Sequence, residues 1–246
     1  MKKFALLLLL IIFSSCNNEE KELTADAIID KTIEKAGGER YKNAHVEFTF
    51  RERTYTSDRN EGLYEFTRSF KDSLGEVKDV LNNEGLKRYR EGEEVKISDS
   101  LATLYANSVN SVHYFVQLPY GLNDSAVQKE LVGQDTISGK PYYEIKVTFK
   151  QEGGGADHED VYMYWVSKEE FTIDYFAYRF YVNDGGIRFR VAKDPRKIEG
   201  IRFVNYDNYK TDDLSTPLEE LDDLYEEGKL TKVSEINSEI LNVEVK

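Results

Sequence analysis

From Ala44 onward apolar and polar side chains take turns along the chain, and a period of two marks β-strands with one buried face. In "VEFTFRERTY" Val46, Phe48 and Phe50 fall on one side, and Thr49, Arg51 and Arg53 on the other. "GLYEFTRSF" aligns Tyr64, Phe66 and Phe70, and "YYEIKVTF" aligns Tyr143, Ile145, Val147 and Phe149. Further strands are expected at "VYMYWV", "IDYFAYRFYV", "IRFRVA" and "IRFVNYDNY", with a late one near "KVSEINSEILNVEV". Turn clusters such as "NDGG" and "SGKP" join them directly. Neighbouring strands therefore run antiparallel, because parallel ones need long crossovers.

Helices are few. "TADAIIDKTIEKAGG" has Thr24 as its N-cap, Ile29, Ile33 and Ala36 on one stripe, and a Gly37-Gly38 stop. "DSLATLYANSVNSVHYFVQLP" aligns Leu101, Leu104, Tyr105, Val109, Val112 and Val116 before Pro119 ends it, with His113 on the flank of that stripe. "TPLEELDDLYEEGK" places Pro217 at the first helical position and Gly228 past the end. The class that accommodates these elements is mainly β: a curved antiparallel sheet, or half-barrel, with about three helices, at least one in its concavity.

The N-terminus sets the compartment. "MKKFALLLLLIIFSSC" has two lysines, an apolar run from Phe4 to Phe13 and small residues before Cys16, the layout of a secretory leader. That run is about ten residues, half of what crosses a bilayer. Residues 1–15 are expected to be a signal peptide, and 16–22 a lipidated cysteine with a polar tether. Cys16 is the one cysteine, so no intramolecular disulfide forms. Its setting resembles a bacterial lipobox, which implies acylation of Cys16 and attachment to a membrane through chains worth about 0.8 kcal/mol per buried methylene. By the same resemblance Asn17 in place of aspartate directs the protein to the outer membrane, on its periplasmic face or at the cell surface.

Losing Lys2 and Lys3 with the leader takes the formal charge from −13 to −15. Nucleic acid is thereby excluded as a partner, since a polyanion repels so acidic a chain. About 230 residues remain without a linker, which suits one domain over 23–246.

The N-terminal helix ending in Gly-Gly, the meander, the apolar mid-chain helix and the lipobox together resemble the LolA/LolB-like superfamily of half-barrels. That resemblance implies an apolar concavity for acyl chains and the lipoprotein-sorting machinery as a partner. "VHYFVQLPYGLND", "DYFAYRF", "GGIRFRVAKDPRKIEGIRF" and "YDNY" are more closely similar to an uncharacterised family of bacterial outer-membrane lipoproteins, some members of which carry an aldolase name. The residues do not support that activity. A Schiff-base aldolase needs a perturbed lysine in a β/α barrel, and Lys146 alternates with Glu144 on a polar strand face.

The arginines of "IRFRVA" raise the sharpest question. Ile187, Phe189 and Val191 share one face, so Arg188 and Arg190 share the other. Two readings stand. If that face is solvent, they are sheet charges paired with cross-strand acids. If it is concave, they form a clamp of planar donors for a carboxylate or phosphate. Arg68, on the aromatic face of "YEFTRSF", must be paired or at a cavity mouth and is the third candidate; Tyr178 of "DYFAYRF" is an aromatic lining candidate. His158 and Asp160, at i and i+2, are an acid/base pair if the protein is an enzyme. No third histidine or cysteine joins them, so neither a metal set nor a cofactor is expected, and no nucleophile or dinucleotide motif occurs.

The functional expectation is a lipid-anchored envelope protein holding a lipid or anionic amphiphile in the concavity. A hydrolase or lyase built on a His/Asp/Arg pocket is the alternative, as is an interaction module without a ligand.

Overall fold

The computed structural model describes residues 23–152, 158–181 and 185–246. The leader, Cys16 and its tether, and the glycine run at 153–155, lie outside them. Helix α1 (Ala25–Ala36) precedes a meander of β1 (Ala44–Phe50), β2 (Arg53–Asn60), β3 (Leu63–Asp72), β4 (Gly75–Asn82), β5 (Gly85–Arg90) and β6 (Glu93–Val95). Helix α2 (Asp99–Val116) then leads to a second meander of β7 (Val127–Ile137), β8 (Lys140–Phe149), β9 (Val161–Ser167), β10 (Ile173–Phe180), β11 (Gly186–Ile198) and β12 (Ile201–Lys210). The chain closes with α3 (Leu221–Glu226), β13 (Thr231–Ile236) and β14 (Glu239–Val245).

The strands form two seven-stranded sheets, ordered β14-β1-β2-β3-β4-β5-β6 and β13-β12-β11-β10-β9-β8-β7, with antiparallel pairing throughout and no closure. The late strand expected near Lys232–Val245 is in fact two, because the break at Asn237-Ser238 carries the chain from the edge of one sheet to the edge of the other. "VEFTFRERTY" is likewise not one strand. Arg51 and Glu52 adopt positive φ (50° and 60°) and form the two-residue turn of a hairpin, a role usually left to Asn or Gly.

Helix α1 begins where Thr24 Oγ1 accepts from the Ala27 amide at 3.2 Å and stops at Gly37, whose φ of 150° and proximity to Tyr41 and Ile201 exclude a Cβ. It presses Ile28 and Ile29 onto the inner face of the second sheet. Helix α2 lies in the concavity and touches both sheets. Val109 packs on Phe66 and Leu81 of the first, while Tyr114 and Phe115 pack on Tyr162, Tyr164 and Phe176 of the second. A helix buried on two sides has no single apolar stripe, which is why Leu101 and Leu104, aligned with Val109 in sequence, are exposed. His113, expected at a boundary, is instead core. Its ring stacks on Phe66 with centroids 4.4 Å apart, and Nε2 donates to the Thr67 carbonyl at 3.1 Å. Burial pushes its pKa down to about 3, so the ring is neutral.

The outer face of the second sheet is covered as well. A 3-10 turn at Leu218–Glu220 follows Pro217, and with α3 it sets Leu218, Leu221 and Tyr225 against Met163, Trp165 and Phe189. Consequently β9 to β11 are apolar on the α3 side and largely aromatic on the α1/α2 side.

Candidate functional site

Because Ile187 and Phe189 belong to the layer under α3, Arg188 and Arg190 point the other way, into the concavity. There a cleft of about 600 Å³ opens at the seam between the sheets. Its walls are the second half of α2 (Val112, Phe115, Val116), the end of β1 and its turn (Phe50, Arg51), the inner face of β9 to β12 and the strand β13 (Val233, Ile236). The volume falls within the roughly 300–1,000 Å³ of small-molecule sites.

Arg190 is the focal group. It is 8% exposed, and its guanidinium carbon lies 4.1 Å from the Phe115 ring centre, 5.1 Å from Tyr178 and 5.3 Å from Phe176. Nη2 donates to the Tyr178 hydroxyl at 2.8 Å, while Nε is buried without a partner. Cation–π contacts of about 0.5–2 kcal/mol each offset part of the desolvation, but an orphaned donor costs about 1–3 kcal/mol. Arg188, half-buried, donates from Nη1 to the Ile187 carbonyl at 2.9 Å and lies over Phe180. Among the described residues neither arginine forms a salt bridge. Opposite Arg190 on β12, Asn208 donates to Ser234 Oγ at 3.2 Å and leaves Oδ1 buried without a partner.

The other predicted residues divide. Tyr178 and Asp160 line this cleft, and Asp160 is 7% exposed. His158 is not among the lining residues, so the cleft does not bring it together with the arginines. Arg68 is elsewhere, in the first sheet, with its charge already met. Its Nε and Nη2 donate to Asp79 at 3.0 and 2.6 Å, and Nη1 donates to Ser108 on α2 at 2.7 Å. Asp79, 0% exposed, also accepts two hydrogen bonds from Arg88. Of the two options set by its aromatic face, Arg68 is paired. Lys146 sits on the outer face of β8, 3.7 Å from Glu219, as a surface lysine does.

Phe115 and Asn208 were missed by sequence reasoning. The aromatic pair Tyr114-Phe115 lies near the end of a helix whose visible stripe pointed elsewhere, and Asn208 is one of many polar residues in "NYDNY". A larger groove of about 730 Å³ lies on the first sheet, but Glu52, Glu65, Lys71, Glu76 and Lys78 line it. Mixed solvated charges of this kind converge on no ligand group.

One family profile, that of a family of unknown function called DUF6503, matches residues 1–238. The chain belongs to the DUF6503 family. No curated protein matches it in sequence. In structure it is similar to a LolA superfamily protein from Nitrosomonas europaea, with a TM-score of 0.51, 12% identity, and 92% of this chain and 94% of that one covered. A DUF1329 family protein from Desulfovibrio piger gives a TM-score of 0.51 at 13% identity, over 90% and 92% of the two chains. These likenesses establish the LolA-like fold. Among the described residues no helix is long and apolar enough to cross a membrane.

Proposed function

We propose that this DUF6503 member is an envelope lipoprotein, anchored at the outer membrane through acylated Cys16, whose 23–246 half-barrel holds an anionic amphiphile in the α2 cleft. The observation that carries the reading is Arg190: a buried cation in an aromatic wall with an unpartnered Nε donor facing a cleft. An anionic head group supplies the acceptor that Nε lacks, and desolvation strengthens that charge-assisted bond. Arg188 adds a second fork at the rim, and Asn208 Oδ1 offers an acceptor to a hydroxyl on the same head. Phe115, Val112 and Ile236 provide apolar wall for the chain. The LolA-like fold is in keeping with a concavity used for acyl chains, and the net charge leaves Arg190 as a local exception in a repulsive field.

The test is native mass spectrometry with solvent extraction on residues 23–246 purified without detergent. An anionic amphiphile should accompany the wild type and be lost from the Arg188→Ala/Arg190→Ala variant while its circular dichroism is unchanged. A wild-type domain that is empty, and remains empty when offered lipids, removes the reading and moves the interaction-module alternative ahead.

A further inference from the structure

On the opposite side of the second sheet, beneath α3, three carboxylates from three elements converge. Asp135 comes from β7, Glu144 from β8 and Asp222 from α3, each offering one oxygen within 4.8 Å of the others. Their meeting depends on a local irregularity. Directly opposed residues on paired strands share a face. Leu131 opposes Ile145 in the α1/α2 layer, whereas Gly133, Asp135 and Ile137 oppose Glu144, Tyr142 and Lys140, with Ile137 and Tyr142 in the α3 layer. Residues 131 and 133 would share a face in an unbroken strand; the bulge at Val132 turns β7 over and brings Asp135 to the α3 side. Gly133 completes the arrangement, since a side chain there would collide with the Glu144 carboxylate.

The convergence is electrostatically incomplete. Asp222 is 2% exposed, and its Oδ1 is buried without a hydrogen-bond partner. Lys146, which alternates with Glu144 on β8, is engaged by Glu219 at 3.7 Å. A buried carboxylate oxygen without a donor, facing two more carboxylates, is a position for a cation.

We propose that Asp135, Glu144 and Asp222 form a divalent-cation site of calcium type that ties α3 to the bulged edge of the second sheet. The donors are all hard oxygens, with no histidine or cysteine among them, which disfavours zinc. Oxygens within 4.8 Å of one another are close enough for small side-chain shifts to bring all three to the roughly 2.3–2.6 Å at which calcium is held. Asp135 and Glu144 are only half-buried, so water can complete the larger coordination shell that calcium takes. This site is separate from the arginine cleft and does not depend on what occupies it.

The experiment uses the full-length chain in detergent, stripped with EDTA and dialysed. Calcium at a hundredfold excess over Kd should raise Tm by about 5 °C or more, with one ion per chain in calorimetric titration. Asp222→Asn should abolish both effects while melting in EDTA no lower than the wild type, because it removes repulsion, and Glu144→Gln should weaken binding at least tenfold. A wild-type Tm identical in calcium and EDTA overturns the proposal, as does an equal rise in Asp222→Asn. Tighter binding of zinc or magnesium than of calcium overturns the assignment of the ion.

Discussion

Replacing Asp79 by alanine separates the structural arginines from the one assigned to a ligand. Asp79 accepts four hydrogen bonds, from Arg68 Nε and Nη2 at 3.0 and 2.6 Å and from Arg88 Nε and Nη2 at 2.6 and 2.9 Å. The carboxylate is 0% exposed, and the arginine side chains are 4% and 12% exposed. Deleting one partner of a buried pair costs about 3–5 kcal/mol, because the remaining charge stays desolvated. Here two cations are left, but Arg88 retains the Tyr105 ring at 3.5 Å and Arg68 retains Ser108, so about 4 kcal/mol is the expected loss. For a domain of this size that lowers Tm by about 8–16 °C. Urea unfolding followed by far-UV circular dichroism measures it directly. Arg68→Met/Asp79→Leu, which leaves only the more exposed Arg88 charged, should recover more than half of the loss. A cost below about 1 kcal/mol for Asp79→Ala would show that these arginines rehydrate freely, and would return Arg68 to the set of ligand candidates.

His113 supplies the pH prediction. Its folded pKa is depressed to about 3, so the unfolded chain binds the proton first, and stability is lost as pH falls from about 6.5 toward 3, by at most about 5 kcal/mol. In His113→Gln that part of the slope should vanish from urea midpoints measured across the range; an unchanged slope places the acid lability elsewhere. At the end of α1, Gly37→Ala should cost about 1–3 kcal/mol in chemical unfolding, since φ of 150° and Tyr41 Cε2 at 3.0 Å both oppose a Cβ; a neutral result would mean that the turn relaxes.

The alternation of "YYEIKVTF" made the sheet legible, and Thr24 and Gly37 made α1 legible, because those signals are local. The hairpin at Arg51-Glu52 was hidden, since positive φ there is imposed by pairing of β1 with β2 and not by residue type. Arg68 could be narrowed to two fates but not assigned, because Asp79 meets it from the adjacent strand. The arginine face of β11 was ambiguous for a different reason. With α3 on one side and α2 on the other, both faces of the sheet are covered, and alternation alone cannot say which is concave. The carboxylate cluster was illegible because it needs a bulge and a helix far along the chain, Val132 and Asp222, to assemble it.

The central claim is that Arg190 reads an anionic head group within an apolar cleft. Calorimetric titration of two amphiphiles with the same alkyl chain, one with a phosphate head and one with an uncharged head, tests it most directly in wild type and in Arg190→Met. The account predicts at least tenfold tighter binding of the phosphate form by the wild type, worth about 1.4 kcal/mol, and loss of that preference in the variant with the uncharged form still bound. Equal affinities in the wild type, or a preference that survives Arg190→Met, would contradict it.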